Sequence, residues 1–243
     1  MSHNLYDETA FFEGYSQLPR SREGLSAAPE WPTLRGMLPP LAGQRILDLG
    51  CGFGAFCRWA AEAGAERVLG IDQSRNMLAR AVSETRHPRV CFRRCTIEGL
   101  DDLPDAPFDL VFSALALHYV ADFWAVCGSI KRQLAPAGKL VFSVEHPIFT
   151  APWRPGWVAG AEGGKAWPLT GYLVEGPRTT TWITPGVVKY HRTLATHVNT
   201  LIGQGFRLDR LEEWRPSAQD IAARPDLADE VQRPMFLLVA AGL

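Results

Sequence analysis

The sequence contains no run of about 18 consecutive apolar residues, the length a helix needs to span a bilayer. Its first residues, Met1-Ser2-His3-Asn4, show no basic segment followed by an apolar one, so no secretory leader is read there. It has no excess of either charge: 25 basic residues stand against 26 acidic ones. No overall field therefore draws the chain to nucleic acid or to an anionic membrane. The one basic stretch, residues 86–94, reads as a solvated loop and strand edge. Cysteine is scarce and odd in number: Cys51, Cys57, Cys91, Cys95 and Cys127. That count suits a reducing cytoplasm rather than a disulfide framework. Cys91 and Cys95 have no companion His or Cys pair at ligand spacing, so no metal site is expected. Internal repeats and low-complexity tracts are also missing. What is present is 243 residues, 47% of them apolar, enough for the full core of one α/β domain.

Residues 1–42 carry Pro19, Pro29, Pro32, Pro39 and Pro40 and read as an irregular lead-in of short, proline-broken helices. From 43 to 146 apolar runs alternate with helical patterns. Strands are predicted at 45–49, 68–71, 90–94, 108–113 and 139–144, and helices at 55–63, 76–85 and 123–134. This alternation demands a mostly parallel sheet covered on both faces, with ligands bound beyond the carboxyl ends of its strands. Residues 147–190 break the rhythm. They are rich in Pro and Gly and hold Trp153, Trp157, Trp167 and Trp182, half the tryptophans of the chain. An irregular insert of that length is functional or disordered, and aromatic richness argues for a cap over a site. Residues 191–243 return to order with a helix at 193–203 and strands at 207–214 and 235–240.

The central motif is Asp48-Leu49-Gly50-Cys51-Gly52-Phe53-Gly54, which follows a strand and opens a helix. Its glycines let the backbone turn sharply and approach a ligand. Gly50, Gly52 and Ala55 also satisfy the dinucleotide fingerprint of nicotinamide and flavin enzymes. Asp72, at the end of the next strand, lies 22 residues beyond Gly50 and is placed for a pair of ribose hydroxyls. It supports a nucleoside without choosing between cofactors. Asp48 tips the balance, because a carboxylate there repels a pyrophosphate and suits a ligand bearing an ammonium and a sulfonium.

Five ordered blocks carry a resemblance to a known family. They are 47–54, Gly70-Ile71-Asp72-Gln73-Ser74, Phe108-Asp109-Leu110-Val111, Leu117-His118-Tyr119 and 134–140 (Leu-Ala-Pro-Ala-Gly-Lys-Leu). Over residues 40–145 the chain resembles the class I S-adenosylmethionine-dependent methyltransferases, in particular their small-molecule, type 11-like branch. The resemblance implies a Rossmann-like, seven-stranded, mostly parallel sheet with helices on both faces and an antiparallel last strand. It implies S-adenosyl-L-methionine as cofactor, S-adenosyl-L-homocysteine as product and no metal. Gly50, Gly52 and Gly54 would underlie the methionine part and ribose. Asp72 would hold the ribose, with Gln73 and Met77 near the adenine. Thr96 and Ile97 occupy the adenine-edge positions, where the family has an acidic residue followed by a small one. Ser113 and Ala114 would back the methionine. Tyr15 and Arg20 are candidates to close over the cofactor, Arg20 by pairing its carboxylate.

Methyl transfer to carbon activated by positive sulfur needs alignment and exclusion of water, and a base only where the acceptor carries a proton. His118, after the fourth strand, and Glu145 and His146, after the fifth, are the candidate catalytic residues. Lys189-Tyr190-His191 follows the cap. The chain lacks the N/D-P-P-Y/F pattern of base-specific nucleic-acid methyltransferases, and the expected acceptor is an oxygen, nitrogen or carbon nucleophile in a metabolite. A non-catalytic cofactor-binding protein, an NAD-dependent oxidoreductase and, less strongly, an RNA methyltransferase remain the alternatives.

Overall fold

The computed structural model describes residues 4–160 and 163–243. Residues 1–3, on which the leader reading rests, and 161 and 162 of the cap lie outside the described residues. In chain order the strands are β1 (Arg45–Leu49), β2 (Arg67–Asp72), β3 (Val90–Arg94), β4 (Phe108–Ala114), β5 (Leu134–Glu145), β6 (Val158–Ala159), β7 (Lys165–Ala166), β8 (Gly176–Trp182), β9 (Thr184–His191), β10 (Arg207–Glu213) and β11 (Phe236–Gly242). Seven of them form one sheet in the order β10-β11-β5-β4-β1-β2-β3. The five central and β3-side strands run parallel, and β11 is inserted antiparallel between β5 and β10.

The apolar runs become central strands because both faces are covered. In β1, Leu47 and Leu49 turn to one face, where they join Val126, Ile130 and Leu201 of helices α6 (Phe123–Gln133) and α8 (Leu194–Gly203). Ile46 turns to the other, with Leu34 of α3 (Trp31–Arg35), Phe56 of α4 (Ala55–Glu62) and Leu78 of α5 (Arg75–Glu84). Phe56 stacks on Phe112 of β4 at 3.6 Å between ring centroids. The helix starts are capped by side chains: the Ser74 hydroxyl accepts from Met77 N–H and the Asp122 carboxylate from Ala125 N–H. The chain leaves β1 for β2 on one side and reaches β4 on the other, so the switch point lies at the carboxyl end of β1.

The cap holds more regular structure than its composition suggests. After α7 (Pro147–Thr150) come a short hairpin, β6-β7, and a longer antiparallel hairpin, β8-β9. In β9 every second residue, Val187, Lys189 and His191, is buried. The lead-in also folds into helices α1 (Thr9–Ser16), α2 (Pro19–Arg22) and α3, and α9 (Ala218–Ala223) precedes β11. Gly14 of α1 packs against the turn of the long hairpin so closely that a Cβ would meet the Ile183 side chain at 2.4 Å. Among the described residues, no helix is long and apolar enough to cross a membrane.

Candidate functional site

The turn after β1 is held open by its glycines. Gly50 has φ +69°, and a Cβ there would meet Ala116 at 2.5 Å, so the backbone of this turn lies directly against the segment after β4. Cys51 N–H donates to the Ile71 carbonyl, which ties the turn to β2. Asp72 completes the tie: one carboxylate oxygen accepts from Gly52 N–H at 3.0 Å and the other from Ser74 N–H at 2.9 Å. Burial pushes the Asp72 carboxyl up, and these two N–H groups oppose the shift.

Above this turn lies a cavity of about 700 Å³, within the size range of small-molecule sites. Tyr15, Arg20, Gly50, Gly52, Asp72, Gln73, Met77, Thr96, Ile97, Ala114, His118 and Glu145 all line it. Its roof is aromatic. Tyr15 of α1 meets Trp182 of β8 edge-on at 6.0 Å, and Tyr6 meets Tyr15 at 5.5 Å and Tyr119 at 6.1 Å. The lead-in and the cap therefore close the same space. A smaller chamber of about 110 Å³ shares Tyr15, Arg20, Gly50, Gly52 and Ala114 with the cavity and is walled further by Glu30 and Asp48.

The far wall, away from Asp72, is built by β5, β9 and the turn after β4. Glu145 and Lys189 form an ion pair at 2.5 Å with side chains 14% and 6% exposed, and the Lys189 ammonium sits 4.9 Å from the Trp182 ring. His118 Nδ1 accepts from Glu145 N–H at 3.3 Å. A neutral ring bonded in that way carries its proton on Nε2. Burial, with Lys189 beside it, holds His118 well below the usual histidine range. His118 thus offers the cavity an N–H donor rather than a lone pair.

A family model described as a methyltransferase domain matches residues 47–142. The chain is 52% identical to an S-adenosylmethionine-dependent methyltransferase from Mesorhizobium loti whose crystal structure superposes with a TM-score of 0.87, covering 90% of this chain and 100% of that one. It is also 30% identical over 201 residues to N-demethylindolmycin N-methyltransferase from Streptomyces griseus, which spans 80% of this chain and 78% of that protein. The chain belongs to the S-adenosylmethionine-dependent methyltransferases. A more local match, 37% identical over 111 residues, is to 27-O-demethylrifamycin SV methyltransferase from Amycolatopsis mediterranei, covering 44% of this chain and 40% of that one.

In this methyltransferase several residues singled out from sequence stand elsewhere than the cavity. His146 does not reach it. Its Nδ1 accepts from Ile148 N–H at 3.1 Å as the N-cap of α7, and its Nε2 meets Glu213 of β10 at 2.9 Å. Both ring nitrogens are spent on joining α7 to β10, so His146 is a structural residue and not a base. His146→Ala is expected to cost about 1–2 kcal/mol of stability through the lost cap and to leave S-adenosylhomocysteine affinity unchanged. Denaturant unfolding and calorimetry measure the two effects. Gly54, at φ +73°, faces β3, where a Cβ would strike Phe92 at 2.6 Å; it serves helix–strand packing. Ser113 is fully buried and donates to the Leu49 carbonyl, joining β4 to β1. Asp48 is 3% exposed and accepts from the Cys57 thiol at 3.2 Å. Burial pushes its carboxyl up to about 7, which weakens the fixed anion expected there. Arg20 is paired with Glu30 at 3.0 Å. The tryptophans divide: Trp182 lines the cavity, whereas Trp157 and Trp167 stack around the buried Arg233.

Sequence reasoning left Tyr6 and Glu30 out of the site, named Tyr119 only within a family block and Trp182 only among the four tryptophans of the cap, and named Lys189 only as part of a tripeptide. The period-two burial of 187, 189 and 191 is the signal that places Lys189 inward.

The buried histidines set the acid response. Burial lowers His118, His146, His191 and His197, the last to about 3. Each stays neutral when folded but binds a proton when unfolded below about pH 6.5. Their contribution to stability is full above that pH and is lost as pH falls, by up to about 1.4 kcal/mol per pH unit per residue. Asp48, Asp72 and Glu230, raised by burial, act in the opposite sense, gaining as pH falls. Four imidazoles oppose three carboxyls, so the melting temperature should drop between pH 7 and pH 5. Scanning calorimetry across that window tests it, and a rising or flat melting temperature refutes it.

Proposed function

We propose that this methyltransferase transfers the methyl group of S-adenosylmethionine to a small-molecule acceptor by in-line displacement. The reading rests on one observation: one cavity has Asp72 and the glycine turn at one end and the Glu145–Lys189 pair at the other. The residues present fit the cofactor. Gly52 has open space where a Cβ would stand, with only the Tyr15 hydroxyl at 3.9 Å, Gly50 lets the turn lie against Ala116, and Asp72 offers a buried carboxylate to a diol.

When bound, S-adenosylmethionine supplies a methyl carbon already activated by its positive sulfur. Asp72 accepts from the ribose hydroxyls; Gln73, Met77, Thr96 and Ile97 enclose the adenine; Gly50, Gly52 and Ala114 lie along the methionine part. Tyr15, Tyr6 and Trp182 exclude water from above. His118 Nε2–H donates to the acceptor and orients it. Lys189 occupies one carboxylate oxygen of Glu145, and the other, which no hydrogen bond among the described residues engages, takes a proton from an acceptor O–H or N–H. The relatives named as an N-methyltransferase of N-demethylindolmycin and a methyltransferase of 27-O-demethylrifamycin SV support a small-molecule nitrogen or oxygen acceptor. Five free cysteines fit a cytoplasmic setting.

Calorimetric titration with S-adenosylmethionine, S-adenosylhomocysteine and NAD in parallel, followed by label transfer from methyl-labelled cofactor to a metabolite extract, tests the reading. Binding of the first two and label in the low-molecular-weight fraction are expected. Binding of NAD alone would restore the dehydrogenase alternative. Cofactor binding with no label transferred would leave a binding protein.

A further inference from the structure

The smaller chamber adjoins the glycine turn without including Asp72 in its lining, and its polar wall is an ion pair. Arg20 comes from α2 and Glu30 from the residue before α3, and both carboxylate oxygens of Glu30 accept from a single guanidinium nitrogen, at 3.0 and 3.1 Å. The Glu30 side chain is 2% exposed and that of Arg20 26%. This pairing leaves much unused. A guanidinium has five N–H groups and a carboxylate about four acceptor sites, and among the described residues no other hydrogen bond engages either side chain. Both groups line the chamber, which Gly50, Gly52 and Ala114 join to the main cavity.

A ligand held at its ribose by Asp72 and crossing the glycine turn brings its amino-acid end here. That end carries one positive and one negative charge. Inserted beside a pair of one negative and one positive charge, it makes a ring of alternating sign with no net charge to desolvate. Building on the cofactor reading above, we infer that Glu30 receives the α-ammonium of S-adenosylmethionine while Arg20 takes its carboxylate. Asp48, which the sequence suggested for the ammonium, stands in the same chamber but accepts from the Cys57 thiol, and burial disfavours its charge.

The test separates a direct contact from a mere orienting role. S-adenosylhomocysteine and its desamino analogue, which keeps the carboxylate and lacks the ammonium, are titrated calorimetrically into the parent and into Glu30→Gln. A charge-assisted hydrogen bond to a buried partner corresponds to roughly ten- to hundredfold in affinity. The parent should favour S-adenosylhomocysteine over the analogue by that factor. Glu30→Gln should lose affinity for S-adenosylhomocysteine by a similar factor while binding the analogue as the parent does. Equal loss on both ligands would mean that Glu30 only positions Arg20, and the inference fails. Equal affinity of the parent for the two ligands would overturn it even if the variant did not fold. A parent that binds neither ligand would instead remove the cofactor reading on which the inference stands.

Discussion

Asp72→Ala is expected to abolish most cofactor affinity while leaving the fold nearly as stable as before. Two hydrogen bonds from ribose hydroxyls to an ionised, buried carboxylate contribute about 1.5–3 kcal/mol each. Their joint loss lowers S-adenosylhomocysteine affinity by roughly two to three orders of magnitude. The stability change is small because two terms oppose. The variant loses the bonds from Gly52 and Ser74 N–H, but it also removes a carboxylate whose burial penalises its charge. Asp72→Asn should fall between, since an amide oxygen still accepts from one hydroxyl. Calorimetry and thermal unfolding on the same samples read both quantities. An alanine variant that binds S-adenosylhomocysteine as tightly as the parent would remove Asp72 from the site. A variant that merely unfolds would show it in the melting curve before any titration.

The parts of this site that were readable from sequence are those built by local chain geometry. A glycine turn between a buried strand and an alanine-rich helix can form in few ways, so residues 47–62 and the acid ending β2 declare themselves. Asp72, Gln73, Met77, Thr96 and Ile97 all follow strand ends and reach the cavity for that reason. What stayed hidden depends on contacts between distant segments. The hairpin β8-β9 was obscured by Pro177, Pro185 and Gly186, which read as loop although Pro177 lies in β8 and the other two in β9. His146 looked reactive because it follows a central strand, yet Pro147 starts a helix there and turns the imidazole into its cap. Glu30 had no motif around it. Only the folding of the proline-broken lead-in onto the glycine turn sets it beside Arg20. Gly54 satisfied the cofactor pattern for a packing reason, since α4 cannot approach Phe92 with a larger residue there.

The second large effect should come from the far wall. In Lys189→Met, Glu145 keeps a mostly buried carboxylate without the ammonium it is paired with, a defect that costs about 3–5 kcal/mol when a buried pair is broken on one side. A double variant, Lys189→Met with Glu145→Gln, removes both charges and should recover part of that loss, which denaturant midpoints would show as non-additivity. Neither change touches the Asp72 end, so S-adenosylhomocysteine affinity should stay at the parent value. Transfer should respond differently in the two single variants. Glu145→Gln keeps size and packing but has no carboxylate to take a proton, so kcat should fall by about 10²–10⁴ for a protic acceptor with little change in KM. Lys189→Met should raise KM as well, because it loosens the wall against which the acceptor rests. A Glu145→Gln variant with the parent's kcat would show that the acceptor arrives already deprotonated. Transfer would then rest on alignment alone, with His118 Nε2–H as the group that orients it.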